Sequence, residues 1–228
     1  MKKASLLIAL MLQICFSYGQ TTANEKINTS GAEAYFKIAT LLEGGSAEKA
    51  IPWQLLFQTP PYQMMISGKA IDTTVLKSEM SRIFSSAKPS NATGLSVTEK
   101  YHQAYKDNQK QLEKYLSVLH QVNVADSVKT LLYPFLPARL QTEVLFPTLF
   151  YLNYGSAEAT GSGGIVINDL LHSYRIDSYK FGLLAAHEAF HAVVSVAFQQ
   201  KLKQNTDYNA ADFNLLYFLQ NVSEEGMA

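Results

Sequence analysis

The segment Leu183–Phe198 is apolar on almost every side of a helix, yet it carries the run His187-Glu188-Ala189-Phe190-His191. A helix that is apolar all round belongs in a protein interior. Two imidazoles and a carboxylate buried there are costly unless they are paired or held by a metal. Any fold of this chain must therefore enclose the helix and still leave part of it something to bind. Residues four apart share one helical face, so both imidazoles can reach a single ion. Glu188 is turned about 100° from His187, which sets its carboxylate beside an ion-bound water rather than on the ion. Two histidines for Zn²⁺ and one carboxylate as proton acceptor are the minimum set of a zinc hydrolase.

Catalytic zinc sites take three protein ligands and keep a further position open. The end of the chain offers a third ligand in Glu224-Glu225-Gly226-Met227-Ala228. It follows a second apolar helical stretch, Ala210–Val222, with Leu215, Phe218, Leu219 and Val222 at helical spacing. His-Glu-x-x-His followed by Glu-Gly-x-Ala resembles the gluzincin metallopeptidases. The resemblance implies that His187, His191 and Glu225 ligate zinc and that Glu188 is the general base. Glu224 is the competing ligand; otherwise it is a solvated carboxylate or a neighbour of the ligands. The separation of His191 from Glu225 is longer than in the best-known gluzincins and is more similar to secreted zinc-dependent peptidase families of unknown function. The resemblance also implies an α+β, mostly α-helical fold, with a zincin-like core and a short β-hairpin before the motif helix. In gluzincins an edge strand there holds extended peptide by backbone hydrogen bonds. Gluzincins continue beyond their Glu-Gly motif and carry a transition-state-stabilising Tyr or His there. Residues 146–228 therefore read as a catalytic core truncated at its C-terminus, or as one whose oxyanion donor lies upstream, with His172 and Tyr174 the first candidates.

The N-terminus reads as an export signal. Met1-Lys2-Lys3 is basic, Leu6–Phe16 is apolar apart from Gln13, and Ser17-Tyr18-Gly19 offers a small-x-small cleavage site. Residues 1–19 would leave with the signal and place the mature protein in the periplasm or outside the cell. The apolar run is too short for stable membrane insertion. Cys15, the only cysteine, raises a lipoprotein alternative, but Ile14 stands where such a site wants a small residue. Without the signal the chain has neither thiol nor disulfide, so its stability rests on the core and the metal. The formal net charge is +0, and no basic stripe marks a partner such as nucleic acid or an anionic membrane.

Between signal and motif, residues 20–145 form an N-terminal helical region behind a polar lead-in at 20–30. Helical patterning runs from Ala34 to Leu42, closed by Gly44-Gly45, then through Ile51–Phe57, which ends at Thr59-Pro60-Pro61. Thr74–Ser85, a long helix Val97–Val122 and Ala125–Tyr133 follow. Val144–Tyr154 and Ile165–Ile167 are rich in β-branched and aromatic residues and are expected as the two strands of the hairpin, joined by the glycine-rich loop 155–164. Trp53 and Tyr62 are expected in the core, and His102 and His120 as ordinary satisfied or exposed histidines. The expected activity is hydrolysis of a peptide or protein substrate by a zinc-activated water. Two rivals remain: a zinc hydrolase of non-peptide amides or esters, and a helical binding protein that keeps the motif without chemistry.

Overall fold

The computed structural model describes residues 26–85, 94–143, 145–155, 160–162 and 164–204. The proposed signal peptide, the helical stretch at 210–222 and both Glu224 and Glu225 lie outside them. In chain order the elements are β1 (Ile27–Asn28), α1 (Ser30–Glu43), α2 (Gln54–Phe57), α3 (Pro60–Ser67), α4 (Thr73–Phe84), α5 (Val97–Asp107), α6 (Gln109–Gln121), α7 (Val124–Leu132), α8 (Ala138–Glu143), β2 (Thr148–Leu152), β3 (Thr160–Ser162), β4 (Ile165–Asp169), α9 (Leu170–Asp177) and α10 (Leu183–Gln204). The fold is α+β and mostly α-helical, as expected. No helix of the described residues is long and apolar enough to cross a membrane.

Local chemistry sets the helix starts. Asp72 accepts the N–H groups of Thr74 and Val75 at 2.8 and 3.1 Å to open α4. Ser96 and Glu99 form a reciprocal capping box at the start of α5. α2 ends at Phe57, ahead of Thr59-Pro60-Pro61 as expected, and the same two prolines also begin α3, because the first helical turn needs no N–H partner. The long helix expected over Val97–Val122 breaks at Asn108 (φ −109°, ψ 12°), whose side-chain amide donates to the Ala104 carbonyl at 2.8 Å. A polar side chain that satisfies the backbone locally competes with continuing the helix.

The four strands lie in the order β1-β2-β4-β3. β4 runs parallel to β2, from Thr148↔Ile165 to Leu152↔Asp169. β1 is parallel to the other side of β2, with Ile27 opposite Leu149, so part of the expected lead-in is a strand. The hairpin before the motif helix is present, but it joins β3 to β4 (Thr160↔Ile167), not β2 to β4. The reason is burial. Leu149, Tyr151 and Val166 are buried on one face, and Phe150, Leu152 and Ile167 on the other. Strands buried on both faces are central and commonly parallel, whereas a two-strand hairpin with a wet face would alternate.

α1 and α3 cover β2, while α10 packs on β3, β4 and α7. At Gly31 α1 packs tightly: an added Cβ there would lie 2.8 Å from Pro61 and 3.0 Å from Leu152. Ala185, Ala189 and Ala192 share one face of α10 and are all buried. Small residues on that face bring the motif helix close against the sheet.

Candidate metal centre

His187 and His191 project from α10 one turn apart, with ring centroids 4.8 Å apart and ring planes at 79°. Their Nε2 atoms converge to 3.2 Å. With Zn–N bonds of about 2.0–2.1 Å, that spacing subtends about 100–105° at a shared ion, close to the tetrahedral angle. The spacing is therefore compatible with a shared tetrahedral cation, and in the absence of one it also lets an N–H of one ring donate to the other. Glu188 Oε1 stands 3.9 Å from His187 Nε2. The His187 side chain is 35% exposed and that of Glu188 11%, so the site opens to solvent beside His187 and is closed behind Glu188.

The start of α10 is fixed by its neighbours. Gly182 has φ +80° and lies against α7, where an added Cβ would meet Val128 at 3.4 Å. Asp177, at the end of α9, accepts the N–H groups of Gly182 and Leu183 and the Tyr115 hydroxyl at 2.6 Å. A carboxylate at a helix start meets otherwise unpaired N–H groups. Among the described residues no group of three or more His, Cys, Asp or Glu side chains converges on one point. The structure brings His187 and His191 together as a pair, with Glu188 3.9 Å from His187 beside it, while the expected third ligand, Glu225, and its rival Glu224 fall outside the described residues.

Residues 53–228 match the model of the family described as "Putative zinc dependent peptidase (DUF5700)". The chain belongs to this family. No curated protein and no solved structure shows a significant match to it. In this DUF5700 chain the matched stretch begins at Trp53, one residue before α2, and includes every residue named above as a candidate ligand or base.

The secondary candidates resolve differently. Tyr174 packs edge-on to Tyr115 with centroids 5.8 Å apart. His172 is lowered by burial and by Arg175, and its backbone N–H donates to Asp169 at 3.0 Å. Trp53 is buried and stacks on Phe57, and Tyr62 is buried with its hydroxyl donating to the Asn153 carbonyl, so both are core residues. His120 meets Glu33 at 2.9 Å at the surface. His102 is buried, with Nδ1 2.7 Å from the Tyr35 hydroxyl and Nε2 3.5 Å from Glu79.

One group of consequence escaped the sequence reading. Asp169, at the end of β4, is fully buried; Tyr105 donates its hydroxyl to it, as does the His172 N–H that it caps. Its position, a lone acid between an apolar strand and a helix beginning Leu170-Leu171, was the available signal. Burial pushes Asp169 up from an ordinary 3.8 to about 7, against the opposing pull of Tyr105 and of the His172, Tyr154 and Leu171 N–H groups. Between about pH 4 and 7 the folded chain keeps this proton while the unfolded chain loses it. Stability from Asp169 therefore falls as pH rises, by up to about 1.4 kcal/mol per unit. Burial lowers His102 to about 4, against Glu79 and Glu99. There the unfolded chain binds the extra proton, so stability rises with pH between about 4 and 6.5. The two groups oppose each other over most of the same window. Asp169→Asn removes the falling component, and its stability should climb more steeply from pH 4.5 to 6.5 than that of the unaltered chain. Urea midpoints at three pH values measure this; parallel curves would sink the assignment.

Proposed function

We propose that this chain is an exported, gluzincin-type peptidase in which His187, His191 and Glu225 hold zinc and Glu188 carries the proton. The observation that supports it most is the 3.2 Å convergence of two Nε2 atoms on a partly buried helix, with a mostly buried carboxylate beside them. Zinc bound there would polarise the scissile carbonyl and acidify a water towards neutrality. Glu188 then accepts a proton from the attacking water and delivers it to the leaving amine nitrogen. Its low exposure keeps competing water from that exchange, while the open side at His187 admits substrate. β3 borders the sheet beyond β4 and packs against α10. A peptide extended along its outer edge would hydrogen-bond to β3 and run beside the motif helix. Export, with residues 1–19 as the leader, and a catalytic unit over residues 146–228 belong to the same proposal.

Zinc affinity of Glu225→Ala and Glu224→Ala tests the ligand set. We expect Glu225→Ala to weaken zinc by on the order of 100-fold or more, exceeding the loss typical of groups that merely orient a ligand. Glu224→Ala should leave affinity within a few-fold of normal. The reverse result moves the third ligand by one residue, and no loss in either variant rejects the gluzincin arrangement. A panel of peptide, N-acyl and ester substrates then separates a peptidase from a hydrolase of other amides or esters.

A further inference from the structure

Immediately beside His187 lies an apolar pocket of about 180 Å³. Leu131, Leu132 and Phe135, from the end of α7 and the turn after it, form one wall; Leu183, Ala186 and Phe190 of α10 form the other. On α10 these residues and His187 are spaced three and four apart, so they make one stripe of the helix. His187 therefore belongs to the pocket wall and to the histidine pair at once. Whatever occupies the pocket touches the same imidazole that faces the candidate metal position.

We propose that this pocket receives one uncharged apolar side chain of the substrate, a phenyl ring or a branched aliphatic group, next to the bond that is cut. The proposal rests on the zinc-peptidase reading above. Three observations choose the occupant. The volume suits it, since a cavity of about 150 Å³ lined by similar side chains accommodates benzene. The lining is hydrocarbon apart from His187 and the exposed Lys180, whose ammonium repels Lys and Arg side chains. At the mouth Phe135 is 66% and Leu183 42% exposed, apolar surface that a bound side chain would cover. Continuity through His187 ties this surface to the histidine pair and not to some unrelated partner.

Two ligands on the zinc-loaded chain test it, acetohydroxamate and 3-phenylpropanoyl hydroxamate, which share a zinc-binding head and differ by the arm. The phenyl compound should bind on the order of 10- to 100-fold more tightly, as expected for burying one aromatic side chain. Leu131→Trp, which fills the pocket from the wall opposite His187, should reduce that preference to within about 3-fold. Phe135→Ala, at an exposed position that should not disturb folding, should lower the preference in the same direction. Toluene added to the zinc-free chain gives a readout independent of the metal, through the methyl resonances of Leu131, Leu132 and Leu183. Shifts there, absent in Leu131→Trp, support the pocket. No toluene shifts in the unaltered chain overturn it, and show the space to be closed or filled by another part of the chain. Toluene shifts with equal affinity for the two hydroxamates overturn its role beside the cut bond while leaving the zinc reading intact. If neither hydroxamate binds, the zinc reading itself has failed, and the substrate role falls with it.

Discussion

Glu188→Gln is expected to lower peptide hydrolysis by about 10²–10⁴-fold while leaving zinc near one per chain. The amide keeps the shape of the side chain and much of its hydrogen bonding, but it cannot accept the water proton. Glu188 Oε1 stands 3.9 Å from His187 Nε2 and outside the 3.2 Å pair, so its loss should not open the histidine bite. His191→Ala removes half of that bite and should abolish both zinc retention and hydrolysis. Metal analysis after gel filtration, run beside a quenched-peptide assay, separates the two roles. Equal zinc loss in both variants would make Glu188 a ligand or a structural group and would remove the proton carrier from the mechanism.

Tyr105→Phe is expected to destabilise the fold by on the order of 3–5 kcal/mol at pH 8. The Tyr105 hydroxyl donates to buried Asp169 and accepts the Gly155 N–H at 3.0 Å, so one missing oxygen strands a carboxylate and an amide together. The loss should be smaller at pH 5, where Asp169 keeps its proton and has less need of a donor. Denaturation at the two pH values measures the difference. An equal loss at both would mean that Asp169 is uncharged throughout and that Tyr105 serves only the glycine amide. The effect should reach the histidine pair, because Asp169 caps α9 and Asp177 at the other end of α9 holds the start of α10.

The motif helix was legible because its signal is double: an apolar run long enough to be buried, with polar groups spaced by one turn. The amphipathic helices around Phe36, Met80, Leu116 and Val128 were legible for a similar reason, since their buried residues recur at helical spacing. Strand partners were not. Val144–Tyr154 and Ile165–Ile167 both read as strands, but a run of apolar residues says only that each is buried, and the direction of pairing depends on what covers the sheet. α3 was missed because Pro60-Pro61 signals a helix end and a helix start equally well, and α9 because eight residues with little periodicity give no pattern to read. The histidine pair was accessible from spacing alone. The pocket beside it was not, since its two walls come from Leu131–Phe135 and Leu183–Phe190, segments linked only by tertiary packing.

The pairing of Ile27 with Leu149 has a consequence for how the protein is made. The chain that must return to close this contact is about 120 residues long, and the entropy of closing it is recovered only once the sheet assembles. A ribosome releases residue 27 early and residue 149 much later, so β1 emerges with no strand to join. The helices between them can meet as they appear, because their contacts are mostly local. The sheet, and the motif helix laid across it, must wait for the second half of the chain. A nascent chain stalled before β2 should therefore hold helical structure with β1 still open to proteases, and competence to bind metal should come late in synthesis, as the last layer closes.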